Sequence, residues 1–323
     1  MPHAPDISVI IPVRNGKDYI EEATNSVVKQ NFPNMEIIIV NDGSTDFNYD
    51  DLKSIDPRIS IVHLTGLGVS SARNAGMAAA RGRYFAFLDA DDYWQPGKIA
   101  AQFRHMEERT ATGGVFGGFQ KWSRSESGDF PEPETLRIDC EGATQLNAAA
   151  SGWLYTRLMR GLIIGMSTFL IRREVYDQLG GFDATVPIGE DYLFWFNISQ
   201  HYTMDCLDAD LTLYRIHSGS AMAKLHQINH HGALLLRAEK TWGLSGPDGD
   251  HISKKEFRRL VGQTEFNHGY DHFWRGDPTI AAKSFRNALS AGVRPERSMA
   301  YLALSRLKQL KRLLSNSKPD ATP

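Results

Sequence analysis

Ile7-Ser-Val-Ile-Ile-Pro-Val-Arg-Asn-Gly16 is a nearly unbroken apolar run, rich in β-branched residues, that ends abruptly in Pro-Val-Arg-Asn-Gly. A strand with one face in water would alternate apolar and polar residues. This one does not, so both its faces are expected to be buried, as in a parallel sheet covered by helices. A helix should follow. Asp18 and Glu21 have capping-box spacing, and Ile20, Ala23, Val27 and Val28 supply an apolar stripe. Met35–Asn41, Ile59–His63 and Tyr84–Leu88 read as further buried strands, with helical segments near Tyr49–Ser54 and Val69–Ala80 between them. This β-α-β rhythm predicts a mostly parallel α/β sheet with right-handed crossovers and helices on its faces.

The chain has 323 residues, 41% of them hydrophobic and 23% charged, enough for one large domain and a smaller appendage. Its two cysteines, Cys140 and Cys206, lack metal-ligand or redox spacing, and so few in so long a chain fit a reducing compartment. No basic segment followed by an apolar stretch opens the chain, and the longest apolar region, Gly161 to Ile171, is too short to span a bilayer. A cytoplasmic protein is expected. Charge is unevenly shared: residues 1–223 carry 19 Lys+Arg against 29 Asp+Glu, or −10, and residues 224–323 carry 17 against 9, or +8. From about Ala221 strand signals stop. Gly269-Tyr-x-x-Phe-x-x-Gly-Asp277, followed by Ala281, Phe285, Ala288 and Pro295, is similar to a tetratricopeptide-like hairpin, beside the plainer reading of a helical subdomain. The expected division is a catalytic domain over 1–220, with a donor half 1–118 and an acceptor half 119–220, and an all-helical part over 221–323.

In open parallel sheets ligands bind beyond the carboxyl ends of the strands, so the residues just after each strand are the ones to examine. Here they are Pro12-Val-Arg-Asn15, Asn41-Asp-Gly-Ser-Thr-Asp46 and Asp89-Ala-Asp-Asp92. Carboxylates at Asp89 and Asp91 suit a hard divalent cation such as Mn²⁺ or Mg²⁺, which commonly keeps open positions for substrate phosphates. Further along, Gly189-Glu-Asp191 opens an apolar helix, so a carboxylate stands at a helix N-terminus. The helix dipole favours its ionised form there, whereas burial under an acceptor would raise its pKa.

Ser8-Val-Ile-Ile-Pro-Val-Arg-Asn15, Ile37-Ile-Ile-Val-Asn-Asp-Gly-Ser-Thr-Asp46, Ser71-Ala-Arg-Asn-Ala-Gly76, Phe87-Leu-Asp-Ala-Asp-Asp92 and Gly189-Glu-Asp191 together resemble the successive motifs of the family-two inverting glycosyltransferases with the GT-A, Rossmann-like fold. The resemblance covers roughly residues 7–217. It implies transfer of a sugar from a nucleotide-diphosphate donor, most simply a UDP-sugar, to an acceptor hydroxyl in surface polysaccharide or glycolipid assembly. By the same resemblance Pro12, Val13, Arg14 and Ala90 line the donor site, Asp42 accepts from the uracil N3–H, Arg73 lies near the base, Asp89 meets the ribose, Asp91 binds the metal, and Asp191 is the general base. Arg14 departs from the family, where an aromatic residue is common. His217, in Tyr214-Arg-Ile-His217, could supply a second metal ligand or be structural. Asp92 reads as supporting or helix-capping, and Asn74 as structural.

Rival classes fit less well. A nucleotidyltransferase would want a glycine-rich phosphate loop after strand one, which Pro12-Val-Arg-Asn-Gly16 is not. A glycoside hydrolase would have two carboxylates flanking the scissile bond and no nucleotide half. An inactive transferase-like module recruiting partners through its helical tail is opposed by the intact Asp89, Asp91 and Asp191. No nucleic-acid partner is expected. Near the end, Arg306, Lys308, Lys311 and Arg312 are interspersed with Leu302, Leu307, Leu310, Leu313 and Leu314. Such a helix could lie peripherally on an anionic membrane surface. The plainer expectation is that its leucines pack on the neighbouring hairpin and its cations are solvated.

Overall fold

The computed structural model describes residues 4–217, 219–220 and 224–316, so the expected onset of the helical part at Ala221 lies outside the described residues. Two compact units are present, Met1–His217 with Gly246–Asp248, and Ser218–Ser245 with Gly249–Pro323.

The first unit runs β1 (Ile7–Val13), α1 (Lys17–Val28), β2 (Met35–Asp42), β3 (Ile59–Leu64), α2 (Val69–Ala79), β4 (Tyr84–Phe87), β5 (Tyr93–Trp94), α3 (Lys98–Glu108), β6 (Thr112–Trp122), α4 (Tyr155–Met159), β7 (Leu170–Arg172), α5 (Arg173–Leu179), α6 (Glu190–Ser199) and β8 (Thr203–Arg215). Tyr49–Ser54 is a 3₁₀ turn. The strands form one sheet in the order β3-β2-β1-β4-β7-β6-β8-β5. The β3-β2-β1-β4 half is parallel, whereas β7 joins β4 and β6 antiparallel and β5 joins β8 antiparallel. Every residue of β1 and β4 is buried, as two-sided cover requires.

Two details place the site. Ile10 accepts from the Leu88 N–H, so Pro12, two residues on, faces the same side of β1, past the end of β4, and costs the ladder no bond. The expected capping box of α1 is not formed: Gly16 is the N-cap without any side-chain cap, and Asp18 lies in the first turn, where its charge meets the helix dipole instead.

The second unit contains α7 (His230–Trp242), α8 (Lys254–Arg275), α9 (Pro278–Ser290) and α10 (Pro295–Asn316). Its core gathers Phe266, Phe273, Ala281, Phe285, Ala288 and Val293. Gly269 is needed for the close approach of α8 to α9, because a Cβ there would stand 3.1 Å from Ser284 Cβ and 3.3 Å from the Ala281 carbonyl. The expectation for the leucines of α10 is overturned. Its buried face carries Ser298 and Ser305, with Leu302 half-buried, while Leu307, Leu310, Leu313 and Leu314 are exposed. Ser298 Oγ is satisfied locally, donating to the Val293 carbonyl at 2.7 Å.

Candidate functional site

The exits of β1 and β2 are tied together by short polar loops. Asn15 N–H donates to Ser44 Oγ (2.9 Å), the Thr45 N–H returns to Asn15 Oδ1 (3.0 Å), and Gly16 N–H donates to the Tyr49 hydroxyl (2.8 Å), which itself donates to Asp46 (3.0 Å). Asn15 holds φ 52°, a left-handed conformation that asparagine tolerates better than most residues. This web fixes the exit of β1, which carries Pro12, Val13 and Arg14. The Arg14 guanidinium lies beside Gly66, its Nη2 3.4 Å from where a Cβ on that glycine would stand.

Asp42, at the end of β2, is buried, and its two oxygens accept three backbone N–H groups: Gly66 (3.2 Å), Leu67 (2.7 Å) and Gly68 (2.8 Å). A carboxylate offers about four lone-pair sites. The loop leading into α2 therefore uses most of them.

Arg73, on α2, is almost wholly buried. It donates to Asp89 through Nη2 and to Glu190 through Nη1, both at 2.7 Å, with its guanidinium 5.3 Å from the Phe182 ring centre. Although burial opposes its charge, the carboxylates of Asp89, Glu190 and Asp191 hold it firmly protonated. The guanidinium is engaged by two carboxylates. It joins α2 and the β4 exit to the start of α6. Asn74 reinforces that junction, exchanging two 2.8 Å hydrogen bonds with the backbone of Phe182. Removing one partner of a buried ion pair strands the others, which typically costs ~3–5 kcal/mol. Arg73→Met is accordingly expected to lower the thermal midpoint strongly, and adding Glu190→Leu should recover part of the loss. If the double variant is less stable than the single, the pairing does not hold this junction.

After β4 the chain presents Asp89, Ala90, Asp91 and Asp92 in succession. Asp91 Oδ2 lies 2.8 Å from His217 Nε2, so the two residues meet although 126 positions apart. Both side chains are partly open, 33% and 14% exposed. Burial first, then the Asp89 charge, raises the Asp91 carboxyl above its usual range, and His217 acts against this. The pair fits a divalent cation chemically, one carboxylate oxygen and one imidazole nitrogen with room for phosphate oxygens. Groups of three or more potential ligands are absent among the described residues. Ala90 sits against the β1 exit, its Cβ 3.7 Å from where one would stand on Gly16. Asp92 is fully enclosed, accepting from Ser167 Oγ (2.5 Å) and the Arg215 N–H (3.0 Å), and burial pushes its carboxyl well up.

Gly189, at φ 81°, lets the chain turn into α6, so that Glu190 and Asp191 fall in its first turn. Asp191 is not the N-cap; its Oδ1 accepts the N–H of Tyr192 (2.7 Å). Burial, then the Glu190 charge, raises its pKa to about 7, with Arg73 opposing and Asp89 adding to the rise. Burial and the charges of Asp92, Asp91, Asp89 and Asp191 push the Tyr214 phenol to about 12. Arg215 is a site residue that motif reading missed. Its Nε donates to the Asp91 carbonyl (2.7 Å), Nη2 pairs with Glu22, and the guanidinium lies 3.6 Å from the Trp122 ring centre. Its position two residues before His217 was the available signal.

A half-parallel sheet with acidic loops at the carboxyl ends of its strands defines the GT-A class of fold. The solved structure of S. aureus TarS residues 1–349 covers 95% of this chain and 88% of that one at TM-score 0.59 and 17% identity. TarS has also been solved with UDP and with UDP-GlcNAc. The mannosyltransferase PcManGT of Pyrobaculum calidifontis, solved with GDP-Man and Mn²⁺, covers 96% and 81% at TM-score 0.57 and 20% identity. The model of glycosyl transferase family 2 matches residues 8–179, and the chain belongs to that family. WfaP of Escherichia coli, a UDP-Glc:alpha-D-GlcNAc-diphosphoundecaprenol beta-1,3-glucosyltransferase, is 31% identical over 67% of this chain and 80% of its own. An uncharacterized glycosyltransferase of Haemophilus influenzae is 28% identical over 76% of each. One of Rickettsia felis is 31% identical over 70% of this chain, which spans 37% of that protein's length.

Proposed function

We propose that the chain transfers a hexosyl or N-acetylhexosaminyl group from a UDP-sugar to a hydroxyl of a carbohydrate or lipid-linked acceptor, inverting the anomeric carbon, in surface polysaccharide or glycolipid assembly. The observation that carries this reading is geometric: Arg73 joins Asp89 and Glu190, each at 2.7 Å, and so brings the start of α6, with Asp191, to the Asp89-Ala-Asp91 loop. A carboxyl so placed can take a proton near neutrality and can work at the same pH at which it rests. The named donors of WfaP and TarS support UDP, and WfaP's lipid diphosphate acceptor supports a lipid-linked one.

In the proposed reaction Asp191 accepts the acceptor hydroxyl proton as that oxygen attacks C1 of the sugar. The C1–O bond to the diphosphate breaks, its electron pair leaving with UDP. Asp42 presents a remaining lone pair to the base, Pro12, Val13, Arg14 and Ala90 line the nucleotide, and Asp89 meets the ribose while Arg73 fixes its carboxylate. Asp91 and His217 would hold Mn²⁺ or Mg²⁺, which as a Lewis acid neutralises charge on the departing diphosphate. Arg215 keeps the Asp91 backbone in place from behind.

Incubation with several UDP-sugars and Mn²⁺ should release UDP, and single displacement requires the glycoside formed to have the anomeric configuration opposite to that of the donor. A product of retained configuration would remove Asp191 from the role of base.

A further inference from the structure

Α10 turns an apolar face outward. Met299, Leu304, Leu307, Leu310, Leu313 and Leu314 are between 47% and 70% exposed, and Leu307, Leu310 and Leu314 recur at helical spacings of three and four. Isolated exposed leucines need no explanation, but a continuous stripe along one helix does. Beside it stands Trp274, the penultimate residue of α8, 61% exposed. Lys308, which donates to the Phe273 carbonyl at 2.7 Å, brings its ammonium 5.6 Å from the Trp274 ring and so places that indole next to α10. Lys308 is one turn from Leu304 and therefore shares its side of the helix.

We propose that this face of α10, with Trp274 at its margin, docks on a bilayer surface carrying anionic headgroups. Charge selects the occupant. Arg306 and Lys311 are exposed among the leucines, and Glu296, in the first turn, is the only acidic residue of α10. Against a second copy of α10, these cations would meet cations, with no acidic residue along the stripe to answer them. Against anionic headgroups each cation is attracted while the leucines enter the acyl boundary. An exposed indole suits the same boundary, since it has an apolar body and a polar N–H. None of the described helices is long and apolar enough to cross a membrane, so the contact is peripheral.

The test is flotation of the full chain with phosphatidylcholine vesicles, with and without phosphatidylglycerol, at low and high salt. It needs no donor and no turnover, so its result is separate from that of the transfer reaction. Binding is expected to the anionic vesicles, weakening as salt rises. Leu307→Gln with Leu310→Gln and Leu313→Gln, all at exposed positions, should weaken it by at least about tenfold, with circular dichroism unchanged. Arg306→Gln and Lys311→Gln should each cost about fivefold and flatten the salt dependence. Tryptophan emission should shift to the blue on binding, and Trp274→Phe should remove most of that shift. Failure to bind anionic vesicles at low salt would overturn the proposal, as would unchanged binding by the glutamine variant. Self-association without vesicles that the glutamine variant abolishes would give the face to a second copy instead.

Discussion

Asp191→Asn is expected to lower turnover by ~10²–10⁴-fold, the usual span for loss of a general base, while UDP binding stays within a few-fold of the parent. An amide can still accept the Tyr192 N–H, so α6 should start unchanged. The same variant should be more stable than the parent above neutrality. Because the folded-state pKa of Asp191 is raised from 3.8 to about 7, the folded chain binds this proton more tightly than the unfolded chain does. The group's stabilising protonation is complete below about pH 4 and is lost as pH rises through about 7. At pH 8 the buried charge costs at most ~4 kcal/mol, and the amide removes that cost. Thermal melts of the two proteins should therefore coincide near pH 4 and separate by several degrees at pH 8. The parent's rate should rise as pH passes about 7. Near-normal turnover in the variant would move the base to Glu190 or elsewhere, and melts that fail to diverge would show that Asp191 is not held as described.

The second large effect is expected at Asp91. Asp91→Asn should abolish transfer and weaken Mn²⁺-dependent UDP binding by ~10²–10³-fold, several kcal/mol of charge stabilisation, while UDP binding in EDTA is unaltered. The amide can keep a hydrogen bond with His217 Nε2 and no longer sets a second negative charge beside Asp89. The fold should survive, with the midpoint unchanged or raised. Isothermal titration of UDP with and without Mn²⁺ reads this directly. If Mn²⁺ strengthens UDP binding equally in both proteins, Asp91 does not ligate it.

Most of the parallel half of the sheet was legible because β1, β2 and β4, covered on both sides, have little room for polar residues; β3, expected to be buried, is instead the edge strand, buried only at Ile59, with Ser60 and His63 exposed. Even there boundaries moved by a residue, as at Asp42, which belongs to β2. The other half was not legible. β6 contains Gly113, Gly114, Gly117 and Gly118, which carry no strand signal. Those glycines answer to neighbours far along the chain: a Cβ on Gly113 would stand 2.6 Å from Tyr202 Cβ, and one on Gly117 2.7 Å from Leu211. The pairing of β6 with β8 also shifts register at three places along this glycine-rich stretch, between Thr112 and Gly114, Gly117 and Gly118, and Gly118 and Phe119. At the site, motif order was sufficient to name Asp89, Asp91 and Asp191. That Glu190 would be drawn to Arg73, 117 residues earlier, depends on how α2 and α6 meet, which no local pattern encodes. The leucines of α10 misled because helical spacing alone does not say whether an apolar stripe faces the core or turns away from it, and only the packed serines reveal which side is inward.

The loop-binding role of Asp42 bears on how this position is read among related enzymes. Three backbone N–H groups depend on its carboxylate. Selection to keep the Gly66-Leu67-Gly68 turn in shape would by itself retain an aspartate here, through any change of donor base. An inherited aspartate at the end of β2 is then a weak reporter of nucleotide identity, and its loss in a relative would say more about that loop than about uracil.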